Sequence, residues 1–596
     1  MCGFLGAVSL NEITETGFNN ANNLIECRGP DAKRVLKGND NLINYNLIFN
    51  RLAIIDLNEN ANQPMVDKSN DNILMFNGEI YNHLDLKKDL EKKYSINFST
   101  SHSDSETLLK GLSTYSLDFI NKLRGQFALF FIDFKNKKII LARDRLGQKP
   151  LYYFLDSNNL KFSSNLNSLK LICDNNQLSE EHIIQYLNIG ATYSPNTIFK
   201  NIFKVEPSQI VVIDYSSGEF TVSYNNYWSI NSFIGEKEFR NDEFMDLFSE
   251  SVALRTYSDV PIASFLSGGI DSTSIVKNLH DNNINLSTFT VSMKEKKYDE
   301  SYWASQVSKK YRTSHSSVTL SSDFSFENVI KILLQIDEPV ADPSVIPTYL
   351  ISKEISKEFK VAISGDGGDE LLGGYKRTNI VLSNKKNIIN NLSYLYNVYP
   401  AFLGTGNKFL SKSSDPYQSY ASFLQDNKFL KLLGINSISS DNANIRMEIT
   451  NNLYKDLLLS DYKFFLPEIM NYKVDRMSMA NSLEVRSPFL DHKLVEYILS
   501  HKTPYLDSNN SKALLKNYLL NDFDSSFLNR PKQGFSFDLE NFVYKNISEI
   551  NSIIKNGTVV NYLDKNIVKK LSIFKSRMNA IRIWKLFVLE NYLSNN

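Results

Sequence analysis

Pro261-Ile262-Ala263-Ser264-Phe265-Leu266-Ser267-Gly268-Gly269-Ile270-Asp271-Ser272 decides the fold of most of this chain. Its first half is a short apolar run of strand length. Its second half is a Gly turn that opens a helix. A Gly-rich turn at a helix N-terminus exposes backbone N–H groups and a partial positive charge, which suits a phosphate. No Lys follows the glycines, so this is not a Walker loop. Taken alone, Ser-Gly-Gly is an ordinary surface turn.

The design returns downstream. Val361–Ile363 is a second short apolar strand, and Ser364-Gly365-Asp366-Gly367-Gly368-Asp369-Glu370 follows it. Such a run is poor helix and poor strand, so it reads as a turn, with carboxylates able to hold Mg²⁺. Leu286–Val291 is a further strand, and the phase of Phe244, Leu247, Phe248, Ser251 and Leu254 is helical. Strand, Gly turn and helix in repetition predict a parallel α/β sheet. After about Asn384 the pattern is mostly helical.

Upstream the texture differs. Asn46–Phe49, Ile73–Phe76, Gln126–Phe134 and Lys138–Ala142 are short β-rich runs separated by polar turns, and Asp104–Leu112 has helical spacing. This predicts a layered α+β domain over residues 2–215. A polar linker, 216–238, then leads to a second domain over 238–596.

Bulk properties fit two soluble domains. The chain has 596 residues, 42% apolar and 22% charged, with 66 basic and 66 acidic side chains. A neutral balance argues against a nucleic-acid partner. No apolar run is long enough for a bilayer, and the start lacks the build of a signal peptide. Three cysteines, Cys2, Cys27 and Cys173, argue against a disulfide framework and for a reducing, cytoplasmic setting.

Cys2 carries the amino-terminal chemistry. Removal of Met1 would leave a thiol beside its own α-amine, whose reference pKa near 8 makes it a usable base. By itself Cys2 reads as a buried small hydrophobe. Asn77-Gly78, after the run Ile73–Phe76, can be a plain turn, or can supply the side-chain and backbone donors of an oxyanion hole. Arg51 and Asp104 are the charges that a free amino acid needs.

Met1-Cys2-Gly3, Arg28-Gly29-Pro30-Asp31, Arg51–Asp56, Phe76–Asn82, Asp104-Ser105-Glu106, Gly125–Ala128 and Arg143–Tyr153 resemble, in order, the class II glutamine amidotransferase domain, an N-terminal-nucleophile hydrolase of αββα layering. The resemblance implies that Cys2 attacks glutamine and that Asn77 and Gly78 hold the oxyanion. It implies that Arg51, Leu52, Ala53, Ile54 and Ile55 line the glutamine pocket, with Arg51 on the α-carboxylate and Glu79 and Asp104 on the α-ammonium. Cys27 stands where the family often has His, and Asn165 where it often has Glu. Altered detail, with activity kept, is expected there.

The second half resembles the PP-loop ATP pyrophosphatase fold of the asparagine synthetase family. Ser267–Ser272, Tyr298-Asp299-Glu300, Ser364–Tyr375, Val474–Asp491 and Arg530–Phe535 carry that resemblance. It implies adenosine contacts from Leu266, Val291, Ser364 and Gly365, and a pyrophosphate cradle of Ser267, Gly268, Gly269, Asp271 and Ser272. It implies Mg²⁺ on Asp271 and Asp369, and Lys532 against the α-phosphate. Asp366 or Glu370 would handle the proton in amide formation. Asp475 and Arg476 are expected beneath this site. The activity implied is glutamine-dependent, ATP-driven amidation of aspartate, giving asparagine, AMP and pyrophosphate. The same chemistry on another carboxylate, such as a uronic acid of a surface polysaccharide, remains open, as do a ligase fed by free ammonia and a non-catalytic interaction protein. A homodimer is what relatives suggest.

Overall fold

The computed structural model describes residues 2–595, except 175, 294–298, 320–323, 384–391, 412–414, 436–446, 451, 504–511, 531–536, 562, 564 and 565. Lys532, Tyr298 and the Pro531–Phe535 part of the last motif therefore lie outside the described residues.

The first half is a sandwich of two antiparallel sheets. Its strands are β1 (Gly3–Ser9), β2 (Ala32–Asn39), β3 (Asn44–Arg51), β4 (Met65–Val66), β5 (Ile73–Ile80), β6 (Gly125–Asp133), β7 (Lys138–Arg143), β8 (Tyr152–Leu155), β9 (Asn159–Ser163), β10 (Phe203–Lys204), β11 (Gln209–Asp214) and β12 (Thr221–Asn226). One sheet runs β10-β8-β9-β1-β3-β2 and the other β12-β11-β7-β6-β5-β4. Side chains alternate across each strand. Phe4 and Val8 of β1 and Ile73 and Met75 of β5 meet between the sheets, where Phe130 stacks on Phe162 at 4.1 Å. Leu74 and Phe76 face outward onto helices His83–Tyr94 and Asp104–Tyr115, while Leu5 and Ala7 face the helices at 166–172 and 180–189. The order helix, sheet, sheet, helix matches the layering expected.

Asn77 and Gly78 do not follow a strand. They lie within β5, paired with Ala128 and Phe127 of β6, because β6 offers an unbroken partner as far as Gly125. The polar stretch after 215 also holds a strand, β12, which pairs with β11 along its whole length. Most of its residues are exposed, so no apolar alternation marked it.

The second half is built on a parallel sheet of β13 (Ile262–Phe265), β14 (Ser287–Ser292), β15 (Ser314–Thr319), β16 (Val361–Ile363) and β17 (Glu484–Arg486), in the order β15-β14-β13-β16-β17. The chain moves outward from β13 on one side through β14 and β15, then returns to β13's other side as β16. That reversal leaves a crevice between the loops after β13 and β16, where ligands bind in open α/β sheets. Helices make up most of the described remainder. Arg577–Asn595 is buried along most of its length, with Trp584 against Phe537, Phe542 and Phe587. Among the described residues no helix is long and apolar enough to cross a membrane.

Candidate active sites

Cys2 stands at the head of β1, 7% exposed. Its backbone N–H donates to Asn77 Oδ1 at 2.9 Å, which fixes the amide so that Nδ2 turns the other way. That Nδ2 is buried with no hydrogen-bond partner among the described residues. A buried orphan donor beside a thiol is costly unless something accepts from it. Gly78 follows with φ +155, and a Cβ there would meet the Gln126 carbonyl oxygen at 2.0 Å. Only glycine permits β5 this approach to β6. Burial pushes the Cys2 thiol up, while the Leu52 backbone N–H and the Arg51 charge act against it.

The neighbouring charges divide. Glu79 and Asp104 are both buried, and both carboxyls are raised, by burial first. Their mutual repulsion adds to the rise at Glu79. Glu79 Oε2 accepts from Arg486 at 3.0 Å, whereas Oε1 has no partner among the described residues. Two repelling carboxyls with an open oxygen suit an incoming ammonium. Arg51 is committed differently. Its four terminal N–H groups go to the carbonyls of Ile55, Asp56 and Asn58 and to Asn62 Oδ1, so it holds the loop that includes Ile54 and Ile55. Asn165 caps helix Leu166–Ile172 by accepting from the Ser168 N–H. Cys27 is exposed, and its carbonyl accepts from Ser482 Oγ at 2.6 Å.

The second site is a cavity of about 480 Å³ at the crevice of the parallel sheet. Leu266, Ser267, Gly269, Asp271, Ser272, Val291, Ser364, Gly365, Asp366, Asp369 and Glu370 all line it, so the two turns singled out in the sequence converge. They touch directly: a Cβ on Gly368 would come within 2.7 Å of Asp271 Cγ, so glycine is what lets the turns close up. Helix Ile270–Asp281 points its N-terminus at the cavity. Ser267 Oγ accepts from the Gly269 N–H at 3.1 Å and shapes the loop.

Lys512 was not foreseen. It is buried, contacts Asp271, and reaches Asp369 Oδ1 at 2.5 Å. A single Lys in a polar segment has no pattern to mark it. Asp271 Oδ1 is buried and without a hydrogen-bond partner among the described residues. Two close carboxylates with a spare oxygen fit Mg²⁺, which takes one or two protein carboxylates and completes its shell with phosphates and water. Among the described residues no group of three or more His, Cys, Asp or Glu could hold a metal alone. Burial raises Glu370 to about 7, although the Tyr375 hydroxyl donates to it at 2.6 Å and lowers it.

Asp475 and Arg476 follow Lys473 and Val474 of the cavity wall on the same helix but do not line the cavity themselves. They sit where the two halves meet. Asp475 takes Arg28 through both oxygens, at 2.9 and 3.2 Å, and also pairs with Lys149 and Arg476. Burial would raise its carboxyl, but these three cations outweigh burial and hold it well below the usual range. Arg28 Nε meanwhile donates to the Cys2 carbonyl at 3.2 Å. Arg124 with Asp491, and Lys204 with Glu338 and Glu468, are further buried pairs across the same boundary.

Residues 243–591 match the asparagine synthase family, and residues 1–228 match the glutamine amidotransferase domain family. The chain is similar to asparagine synthetase [glutamine-hydrolyzing] 1 of Bacillus subtilis, with 30% identity over 100% of this chain and 97% of that one. It is 34% identical to the putative asparagine synthetase [glutamine-hydrolyzing] 2 of Methanocaldococcus jannaschii over 63% of this chain and 76% of that one. It is 27% identical to asparagine synthetase [glutamine-hydrolyzing] 3 of Bacillus subtilis, over 90% and 87%.

Proposed function

Because the chain belongs to the asparagine synthase family and carries a glutamine amidotransferase domain, we propose that it makes asparagine from aspartate, with glutamine as nitrogen donor and ATP cleaved to AMP and pyrophosphate. Residues 2–215 are assigned to glutamine hydrolysis and 238–596 to amide synthesis.

With Met1 removed, the Cys2 α-amine takes the thiol proton and Sγ attacks the glutamine carboxamide. Asn77 Nδ2 and the Gly78 N–H hold the oxyanion that forms. Glu79 and Asp104 receive the substrate α-ammonium. Arg51, beneath the loop Leu52–Ile55, supplies the charge for the α-carboxylate. As the oxyanion collapses the C–N bond breaks, ammonia leaves with the proton held by the α-amine, and water then hydrolyses the Cys2 thioester to release glutamate.

In the second site, adenosine lies against Leu266, Val291, Ser364 and Gly365. The phosphates lie on Ser267, Gly268, Gly269 and Ser272. Mg²⁺, held by Asp271 and Asp369, would offset the charge of the pyrophosphate leaving group. Lys512 brings a second positive charge to the same place, and Lys532 is assigned to the α-phosphate. A carboxylate oxygen of the acceptor attacks the α-phosphorus and pyrophosphate departs. Ammonia then displaces AMP from the acyl carbon, giving up a proton to Asp366 or Glu370. A carboxylate resists ammonia because its oxygen is a poor leaving group; as an adenylate it is not.

The observation that carries this reading is the orphan Nδ2 of Asn77 beside Cys2. It is a donor held for a ligand in the half of the molecule that sets this reaction apart from ammonia-fed ligation. The test is pyrophosphate release with glutamine or ammonium, given aspartate or hexuronates as acceptor. Aspartate is expected to give turnover with either nitrogen source, and Cys2→Ala to keep only the ammonium rate. Turnover with hexuronates and none with aspartate would replace aspartate as the acceptor.

A further inference from the structure

Most charged side chains on the synthetase cavity are accounted for within the protein. Lys512 is held by Asp271 and Asp369. Glu370 accepts from Tyr375. The Arg530 guanidinium lies over the rings of Trp303 and Phe527, at 4.6 and 5.2 Å. Lys473 differs. It lines the cavity and is 6% exposed, yet its one hydrogen bond among the described residues goes to the Met470 thioether at 3.7 Å. A thioether is a weak acceptor and no counter-charge. A buried ammonium without an anion is unfavourable unless a ligand brings one.

Its place in the fold says which ligand. Met470, Lys473 and Val474 all line the cavity, and their i, i+3, i+4 spacing puts them on one face of helix Asn471–Met479 and the turn before it. Asp475 and Arg476, on another face, meet the first half of the molecule. The phosphate cradle belongs to the loop after β13 and already has Lys512. Lys473 stands instead on the helical wall, which also presents Phe465 and Met470 to the cavity. That wall is left for the acceptor.

We propose that Lys473 binds a carboxylate of the acceptor other than the one that is adenylated, so that the acceptor is a compound with two carboxylates, as aspartate is. This rests on the reading that the cavity adenylates an acceptor, and adds how it chooses one. A mono-acid brings no anion to Lys473 once its single carboxylate has become the adenylate.

The decisive experiment compares wild type with Lys473→Met and Lys473→Arg. The readout is pyrophosphate release with aspartate and with 3-aminopropionate, which keeps the amine and the reacting carboxylate but lacks the second one. In Lys473→Met the KM for aspartate is expected to rise by roughly 30-fold or more. The preference for aspartate over 3-aminopropionate should collapse by a similar factor. The KM for ATP and glutamine hydrolysis should not move, and Lys473→Arg should recover part of the preference. An equal loss with both acids, or a higher KM for ATP alone, overturns the assignment, because a packing role or a phosphate contact would do that. Unchanged aspartate kinetics in Lys473→Met overturn it while leaving aspartate as acceptor. A wild type that amidates hexuronates and not aspartate removes the acceptor reading, and this assignment with it.

Discussion

The two halves of the molecule build their sites in opposite ways. In the sandwich the key groups sit inside the hydrogen-bonded ladder: Cys2 heads β1, and Asn77 and Gly78 lie within β5. In the parallel sheet they sit beyond the strands, on loops that leave β13 and β16 in different directions. A ladder fixes the position of every backbone donor, so a site made from it is rigid and depends on single atoms. Loops at a topological switch point make a larger space shared by many groups. The first site should therefore fail sharply when one atom is removed. The second should fail sharply only at the carboxylates where its two loops meet.

The largest effect is expected from Cys2→Ala, with glutamine-dependent synthesis falling by on the order of 10³-fold or more and ammonium-dependent synthesis unchanged. Paired rate measurements with the two nitrogen donors check this. Asp271→Asn should cost roughly 10²- to 10³-fold in AMP formation with either donor, because it removes a carboxylate on which both loops converge. Glutaminase activity, followed as glutamate release, should survive it. Asn77→Ala should lower glutaminase kcat by about 10²- to 10³-fold, the usual cost of one oxyanion donor, with little change in KM. A rise in KM with kcat unchanged would mean that Asn77 only binds substrate.

Smaller effects sharpen the comparison at the boundary. Asp475→Asn breaks a buried carboxylate shared by Arg28, Lys149 and Arg476. A loss of about 3–5 kcal/mol in unfolding free energy is expected near neutral pH. Asp475 is depressed in the fold, so its contribution is present above the ordinary Asp range and is lost as pH falls through its folded value. Wild type and variant should converge in acid, which denaturant titrations at several pH values would show. Glu370 has the opposite sign. Its carboxyl is raised to about 7, so its contribution is full below about 4.5 and is lost as pH rises through 7. Between those limits wild type should lose on the order of 2–3 kcal/mol relative to Glu370→Gln.

The contrast also explains what could be read from the sequence. The loops after β13 and β16 were legible because glycine is demanded where two backbones close on Asp271, and glycines stand out in a sequence. Asn77 and Gly78 were legible as residues but not as geometry: a dipeptide that usually makes a turn lies here in mid-strand. Lys512 and Lys473 were missed because a single lysine in a helical pattern looks like a surface charge. Only tertiary packing shows that one bridges two aspartates and the other faces a cavity. The Lys204, Glu338 and Glu468 cluster was invisible for the same reason, since its partners are far apart in sequence. β12 escaped because an exposed edge strand carries no alternation.

One measurement bears most directly on the joining of the two sites in a single reaction. The purified protein would be given glutamine, ATP, Mg²⁺ and aspartate, and all products counted in the same tube. Glutamate, asparagine, AMP and pyrophosphate are expected in equal amounts. Glutamate without asparagine, or ADP and phosphate in place of AMP and pyrophosphate, would contradict the assignment of both sites to one amide-forming reaction.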